Sequence, residues 1–157
     1  MPTRDTAIGA FTTSSACAAS THNEAAGGCI GYEEVIVDSD GTTTTENYVQ
    51  VADVPVNSSR LIKITGEGTL RATGPSGLQV LLFEDSTQLR RLNFYVHASG
   101  TDASFHITAL SHAPSTGDHI YTLAGGISGG SGETATLIAD TDEIAYLIIE
   151  DCGPDFA

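Results

Sequence analysis

The feature that most constrains this sequence is a series of short runs in which apolar and polar residues alternate, separated at regular intervals by Gly, Asn, Asp and Ser. In Arg91–His97, for example, Leu92, Phe94 and Val96 fall on one face and polar residues on the other. Alternation with period two is the pattern of a half-buried β-strand, and no helical pattern of about 10 to 15 residues lies between the runs. The sequence therefore predicts an all-β protein.

The predicted strands are spaced as in a layered β-domain. Leu78–Phe83 is apolar on both faces, which predicts a central strand. Tyr48–Val56 and Arg60–Gly68 are expected to pair through the turn between them. The remaining runs are Gly31–Asp38, Arg91–His97, Phe105–Ala109, Asp118–Leu123, Thr134–Ala139 and Ala145–Asp151. We expect a single antiparallel β-sandwich, jelly-roll-like, with about eight or nine strands.

The first 28 residues differ in composition from the rest. They are mostly Ala, Thr, Ser and Gly, and Ile8 and Phe11 are their large apolar side chains. Such a stretch buries too little surface to order alone, so we interpret residues 1–28 as an extended N-terminal arm and residues 29–157 as the sandwich domain. A short helix around Ser15–Ala26 is the alternative. Ile8 and Phe11 are the expected anchors of an assembly contact made by the arm.

The charge balance excludes one class of partner. The 157 residues carry a formal net charge of −14 with only six Lys and Arg residues, and the last third has none. A chain this acidic is repelled by phosphate backbones, so nucleic acid is not an expected partner.

The start of the sequence lacks the features of a secretory signal, and no apolar run is long enough for a membrane helix. We expect synthesis and assembly in the cytoplasm and no membrane partner.

Cys17, Cys29 and Cys152 cannot all pair within one chain, and their spacing matches no zinc motif. Free thiols in a reducing cytosol are the first interpretation, and a Cys17–Cys29 bridge is the alternative.

Four segments resemble a recurring β-domain in virion structural proteins of tailed bacteriophages that infect actinobacteria. They are Gly28–Val35, Arg60–Gly66, Gly117–Leu123 and Leu147–Pro154, in that order. The resemblance covers roughly residues 28–154, and this chain departs from the pattern at Cys29 and Cys152, where aliphatic residues are expected. Such proteins act as capsid decoration, head-surface, minor tail or fibre proteins.

The resemblance implies a non-enzymatic virion component with capsid or tail proteins as partners. A stand-alone domain with a short arm looks more like a capsid decoration protein on the outer surface of the head than like a tail fibre, so decoration is the first expectation and a minor tail or fibre role in host adhesion the second. The resemblance makes a homotrimer reasonable. A monomer that contacts capsid subunits is the alternative.

Two groups of residues are candidates for metal binding. His112 and His119 flank residues 113–118, so a hairpin there would bring two imidazoles together. Asp38–Gly41 and Asp140–Glu143 resemble fragments of calcium loops, but neither continues to a complete EF-hand ligand set. Cross-strand polar pairs and turn carboxylates explain these residues better. No metal site and no cofactor are predicted.

Enzymatic activity is not expected either. The chain lacks the Gly-x-Ser-x-Gly motif, and residues 128–132 lack the Lys and helix of a phosphate loop. A carbohydrate-binding sandwich is a further alternative, although the chain has no Trp and its five Tyr residues fall within strand patterns.

Overall fold

The computed structural model describes residues 28–129 and 132–155, and within these ranges the chain forms nine β-strands and no helix. The strands are β1 (Gly28–Val35), β2 (Thr45–Val56), β3 (Arg60–Ala72), β4 (Ser76–Glu84), β5 (Thr87–Val96), β6 (Asp102–His112), β7 (Gly117–Gly129), β8 (Ala135–Ile138) and β9 (Ala145–Pro154). The all-β prediction is confirmed. Most strands extend a few residues beyond their predicted ends, because alternation weakens where a strand leaves the core.

Two antiparallel sheets form the sandwich. Sheet A has the order β1-β9-β3-β6, and the short β8 pairs with β3 beyond the end of β9. Sheet B has the order β2-β7-β4-β5. Most successive strands cross from one sheet to the other, which is the connectivity of a jelly roll. The predicted sandwich is confirmed, and β4 is a central strand as expected.

The expected pairing of the second and third strands is wrong. β2 pairs with β7 in sheet B, whereas β3 pairs with β6, β8 and β9 in sheet A. Short connections in a jelly roll pass between the sheets, so strands adjacent in sequence need not be adjacent in a sheet.

The core lies between the inward faces of the two sheets. Ile62 and Ile64 of β3 and Leu123 of β7 are completely buried. Phe105, Ile107 and Ala109 are buried together as the alternation predicted, and Leu92 and Phe94 pack against the core from β5. The inward residues of β5 are less enclosed because that strand is at the edge of sheet B.

The open strand edges lie on two sides of the sandwich. Among the strands that the structure describes, β1 and β6 are the edges of sheet A, and β2 and β5 are the edges of sheet B. β1 contacts β2 and β5 contacts β6 across the sandwich. One side therefore presents β1 with β2, and the other presents β5 with β6.

Candidate functional site

The two histidines considered as a metal pair are held apart. His112 is the last residue of β6 in sheet A, and His119 lies on β7 in sheet B, so no hairpin brings the two imidazoles together. His112 Nδ1 lies 3.0 Å from Asp155 Oδ2, whereas His119 Nδ1 lies 2.9 Å from Asp85 Oδ2. Across residues 28–129 and 132–155, no three His, Cys, Asp or Glu side chains are grouped so that they could hold a metal ion.

His106 forms the kind of cross-strand polar pair that the sequence predicts. It lies directly opposite Glu67 of β3, with Nδ1 3.3 Å from Glu67 Oε2. The same oxygen accepts a 2.6 Å hydrogen bond from the hydroxyl of Tyr146. The Tyr146 hydrogen bond, followed by that of His106, lowers the pKa of Glu67 despite partial burial. These residues order the exposed face of sheet A.

His119 lies between two hydrogen-bond acceptors, Asp85 and Ser115, at one end of sheet B. We call these three residues the His119 clamp. His119 Nδ1 faces the Asp85 carboxylate and its Nε2 lies 2.8 Å from the Ser115 carbonyl oxygen. Burial lowers the pKa of His119, but the hydrogen bonds to Ser115 and Asp85 and the negative charge of Asp85 and Glu84 outweigh it, so the net direction is upward. Because neither partner can donate a proton, only the imidazolium form satisfies both contacts.

The order Asp85, His119, Ser115 resembles a catalytic triad, but the geometry does not support a general base. The Ser115 hydroxyl lies 3.4 Å from His119 Nε2, farther than the carbonyl oxygen of the same residue. A base that activates serine must present a free lone pair on Nε2. Here that nitrogen donates to a backbone carbonyl, and the raised pKa favours the protonated ring. The cluster orders the β6–β7 connection.

A second polar cluster is centred on Glu84, beside the His119 clamp. Its two carboxylate oxygens accept hydrogen bonds of 2.8 Å each from the hydroxyls of Tyr121 and Ser111. Tyr121 is on β7 of sheet B and Ser111 on β6 of sheet A, so one carboxylate ties the two sheets together. Burial, then the Glu84 hydrogen bond, raises the pKa of Tyr121 and keeps its hydroxyl a donor.

The two segments that resemble fragments of calcium loops lie next to each other, but their carboxylates accept hydrogen bonds from backbone amides. Asp38 Oδ1 accepts a hydrogen bond from the Ala139 amide, and Asp140 Oδ1 accepts those of Asp142 and Glu143. Asp140 is thereby held ionised, because these amide bonds lower its pKa. Together with exposed Val37, the loops line an open groove of about 620 Å³. The interpretation as turn carboxylates agrees with these contacts.

The basic side chains of residues 28–129 and 132–155 divide into two groups. Arg60, Lys63 and Arg71 each pair with a carboxylate, those of Asp151, Glu150 and Asp102 respectively. Arg90 and Arg91 of β5 are exposed and have no carboxylate partner among the residues that the structure describes. An acidic chain therefore carries two uncompensated positive charges on one open sheet edge.

Ile8 and Phe11, the predicted assembly anchors, lie outside the described residues, as do the predicted arm to residue 27 and its alternative helix. Cys29, at the start of β1, is buried and disulfide-bonded, and Cys152 is a free thiol. The prediction that all three cysteines are free thiols is therefore wrong for Cys29. Cys17 also lies outside the described ranges.

Sequence reasoning missed the His119 clamp, the Glu84 cluster and the buried Arg60–Asp151 pair. Asp85 and His119 are 34 residues apart, and Arg60 and Asp151 are 91 apart. No spacing rule links residues at such separations. The regular strand pattern shows that these residues lie near strand ends, but not which ends meet.

Comparisons with known proteins give broad similarity only. Neither a protein-family model nor a curated protein sequence matches this chain. Among solved structures, the dimeric latent PorU of Porphyromonas gingivalis is similar over 83% of this chain and 13% of its own length, with 10% identity and a TM-score of 0.49. The chain thus spans a small part of that protein.

Two further structures are covered over nearly their whole length. The carbohydrate-binding module CBM36, solved with calcium and xylotriose, has 16% identity and a TM-score of 0.38 over 76% of this chain and 99% of its own. A Bacillus endospore appendage protein from disulfide-linked pili has 15% identity and a TM-score of 0.36 over 84% and 95%. At these values the similarity carries no information on function.

Within the described ranges, no helix is long and apolar enough to cross a membrane.

Proposed function

We propose that this chain is a non-enzymatic virion structural protein, a capsid decoration protein on the outer surface of a tailed-phage head. The observation that carries the proposal is that the polar clusters of the sandwich serve internal order. His119, Glu84 and Asp140 each bind neighbouring groups of the same domain. What the domain leaves available is its surface and its open strand edges, which suits assembly rather than catalysis.

The four resemblance segments support this proposal through their position in the fold. Gly28–Val35, Arg60–Gly66 and Leu147–Pro154 lie on β1, β3 and β9, which are neighbours in sheet A. Gly117–Leu123 lies on β7, a central strand of sheet B. The shared segments thus form the scaffold, and Arg60 and Asp151, which pair inside it, both belong to them.

The N-terminal arm is proposed as the attachment to the particle, with Ile8 and Phe11 as its anchors. An extended segment can cover a large area of neighbouring subunits while the sandwich projects outward. The partners would be capsid subunits.

The test is co-sedimentation with purified phage heads that lack this protein. The full chain should pellet with heads, whereas Ile8→Ala/Phe11→Ala and a chain lacking residues 1–12, which retains Cys17, should stay in the supernatant with an unchanged circular dichroism spectrum. Immunogold microscopy with an antibody to this chain gives an independent readout, with label over the heads of intact virions. Label confined to tails would replace decoration with the tail or fibre role, and binding to a glycan array without binding to particles would favour the carbohydrate-binding role.

A further inference from the structure

β5 is an open edge that nothing in the described chain covers. Among the described strands it pairs with β4 alone, with one irregularity in register opposite Leu82 and Phe83, so the other side of its backbone is free. Its ten residues include exposed Arg90 and Arg91 and a Tyr95 that is 55% exposed. An edge strand offers backbone donors and acceptors to another chain, and Arg and Tyr are enriched among the residues that dominate binding energy.

The charge on this edge is unlike that of the rest of the protein. Residues 86–101, which include β5, contain two Arg residues and no Asp or Glu. Arg90 and Arg91 are consecutive in a strand, so their side chains project to opposite faces of sheet B. A partner strand lying along this edge would therefore need a negative side chain on each face.

The opposite side of the sandwich presents that arrangement. Among the described strands β1 is one of the two open edges of sheet A, and Glu33 and Glu34 are consecutive in it, so they also project to opposite faces. Exposed Ile36 and Val37 follow directly. Residues 28–59, which include β1 and β2, contain six Asp and Glu residues and no Lys or Arg. The two open sides therefore carry complementary charge, and each presents exposed large apolar or aromatic side chains.

We propose that the β5 edge of one copy of this chain docks along the β1 edge of a second copy, with Arg90 and Arg91 facing Glu33 and Glu34. Two β5 edges would not pair with each other, because their arginines would meet and like charges across strands are destabilising. Because the contact joins two different edges, each assembled pair of copies still has one free β5 edge and one free β1 edge. The copies then associate head to tail, as a ring where the rotation closes and as a filament where it does not.

This inference rests on the proposed structural role, because it specifies a second copy of the chain as one partner in assembly. It does not require the arm. Failure of self-association would leave attachment to the particle through Ile8 and Phe11 intact, so the two proposals can fail separately.

The test is sedimentation velocity over a concentration series, with Cys152→Ser in every protein to prevent disulfide exchange through the free thiol. The parent should form concentration-dependent oligomers that weaken as NaCl is raised, since exposed ion pairs are screened by salt. Arg90→Gln/Arg91→Gln should raise the dissociation constant at least about tenfold. The control, Thr116→Glu/Thr141→Glu, has the same net charge but alters two exposed positions outside residues 28–59 and 86–101, so it should associate like the parent.

Charge reversal gives the decisive measurement. Arg90→Glu/Arg91→Glu and Glu33→Arg/Glu34→Arg should each be monomeric alone, and their mixture should assemble, because each reversed edge then finds an opposite charge on the other protein. A parent that stays monomeric throughout the series would overturn the proposal, and so would a mixture that does not assemble. If such a monomer still pellets with phage heads, the arginines protect the edge against pairing and the proposed virion role stands.

Discussion

Arg60 Nε lies 3.0 and 2.9 Å from the two carboxylate oxygens of Asp151, and their side chains are only 7% and 1% exposed. Arg60 is the first residue of β3, and Asp151 is near the end of β9. The pair therefore joins two neighbouring strands of sheet A in the protein interior. Asp151 also accepts a 2.7 Å hydrogen bond from the Gly153 amide, so its charge is satisfied from two sides.

Arg60→Met should destabilise the domain, because it leaves the Asp151 charge buried without its partner. Breaking a buried ion pair costs about 3–5 kcal/mol of unfolding free energy. Adding Asp151→Leu should recover part of that loss, since a buried apolar pair carries no unpaired charge. Urea denaturation of the three proteins measures both effects. A single variant as stable as the parent would show that the pair contributes nothing to the fold.

The His119 clamp should make stability depend on pH near neutrality. The pKa of His119 is higher in the folded state than in the unfolded state, where it is near 6.5. The contribution of His119 to stability is therefore fully present below the unfolded-state pKa and is lost as the pH rises through the folded-state pKa. Asp85 affects stability at acidic pH instead. The hydrogen bond from the Ile120 amide, followed by that from His119, lowers the pKa of Asp85, so its contribution to stability is lost only in acid. The melting temperature should therefore fall as the pH increases above about 6.5.

His119→Gln should remove this decline in the melting temperature between neutral and mildly alkaline pH. His97→Gln is the matched control, because His97 is exposed and contacts the ring of Tyr95 at the surface. It should keep the parental pH profile. Equal slopes in the parent and in His119→Gln would contradict the clamp.

Tyr121→Phe should lower stability by removing one of the two hydroxyls that bind Glu84. A hydrogen bond to a charged group contributes about 1.5–3 kcal/mol, and the tyrosine ring is otherwise fully buried and unchanged in shape. Tyr95→Phe serves as the control because Tyr95 is mostly exposed; its effect should stay within about 0.5 kcal/mol. Thermal unfolding followed by circular dichroism distinguishes the two, and equal losses would argue against a specific role for the Tyr121 hydroxyl.

Gly126→Ala should disrupt the pairing of β2 with β7. Gly126 has a φ of 153°, and a Cβ at this position would collide with the Thr44 carbonyl oxygen, which is backbone and cannot rotate away. We expect a loss of more than about 2 kcal/mol or failure to fold. Gly129→Ala, on the same strand with open space around its Cβ, should behave like the parent. The yield of soluble protein and its chemical denaturation report the difference.

The cysteines should react as one free thiol and one disulfide. Cys29 is disulfide-bonded, Cys152 is free, and Cys17 is the only other cysteine in the sequence, so we expect a Cys17–Cys29 bridge. Burial and the Glu150 charge raise the pKa of Cys152, so its alkylation should be slow at neutral pH. Mass spectrometry should find one alkylated cysteine in the denatured, non-reduced protein and three after reduction. Three modified residues without reductant would exclude the bridge.

Local pattern alone located the strands of this protein. Alternation between apolar and polar residues depends on neighbours along the chain, so the inward faces of Leu92–Val96 and Phe105–Ala109 could be predicted. The same reasoning placed β4 in the centre of its sheet, because both of its faces are apolar. It failed for the strand partners of β2 and β3, since a turn between two strands does not specify whether the chain stays in one sheet or crosses to the other.

The amino-acid sequence by itself thus determined an acidic, all-β chain, the approximate position of each strand and the residues that face the core. Only the tertiary structure decided which strand edges stay open, that Asp85 meets His119, and that Arg60 meets Asp151 from 91 residues away. Strand propensity arises from contacts within a few residues, whereas a jelly roll brings distant strand ends together by pairing and closing two sheets. The polar clusters and the oppositely charged edges are consequences of that closure.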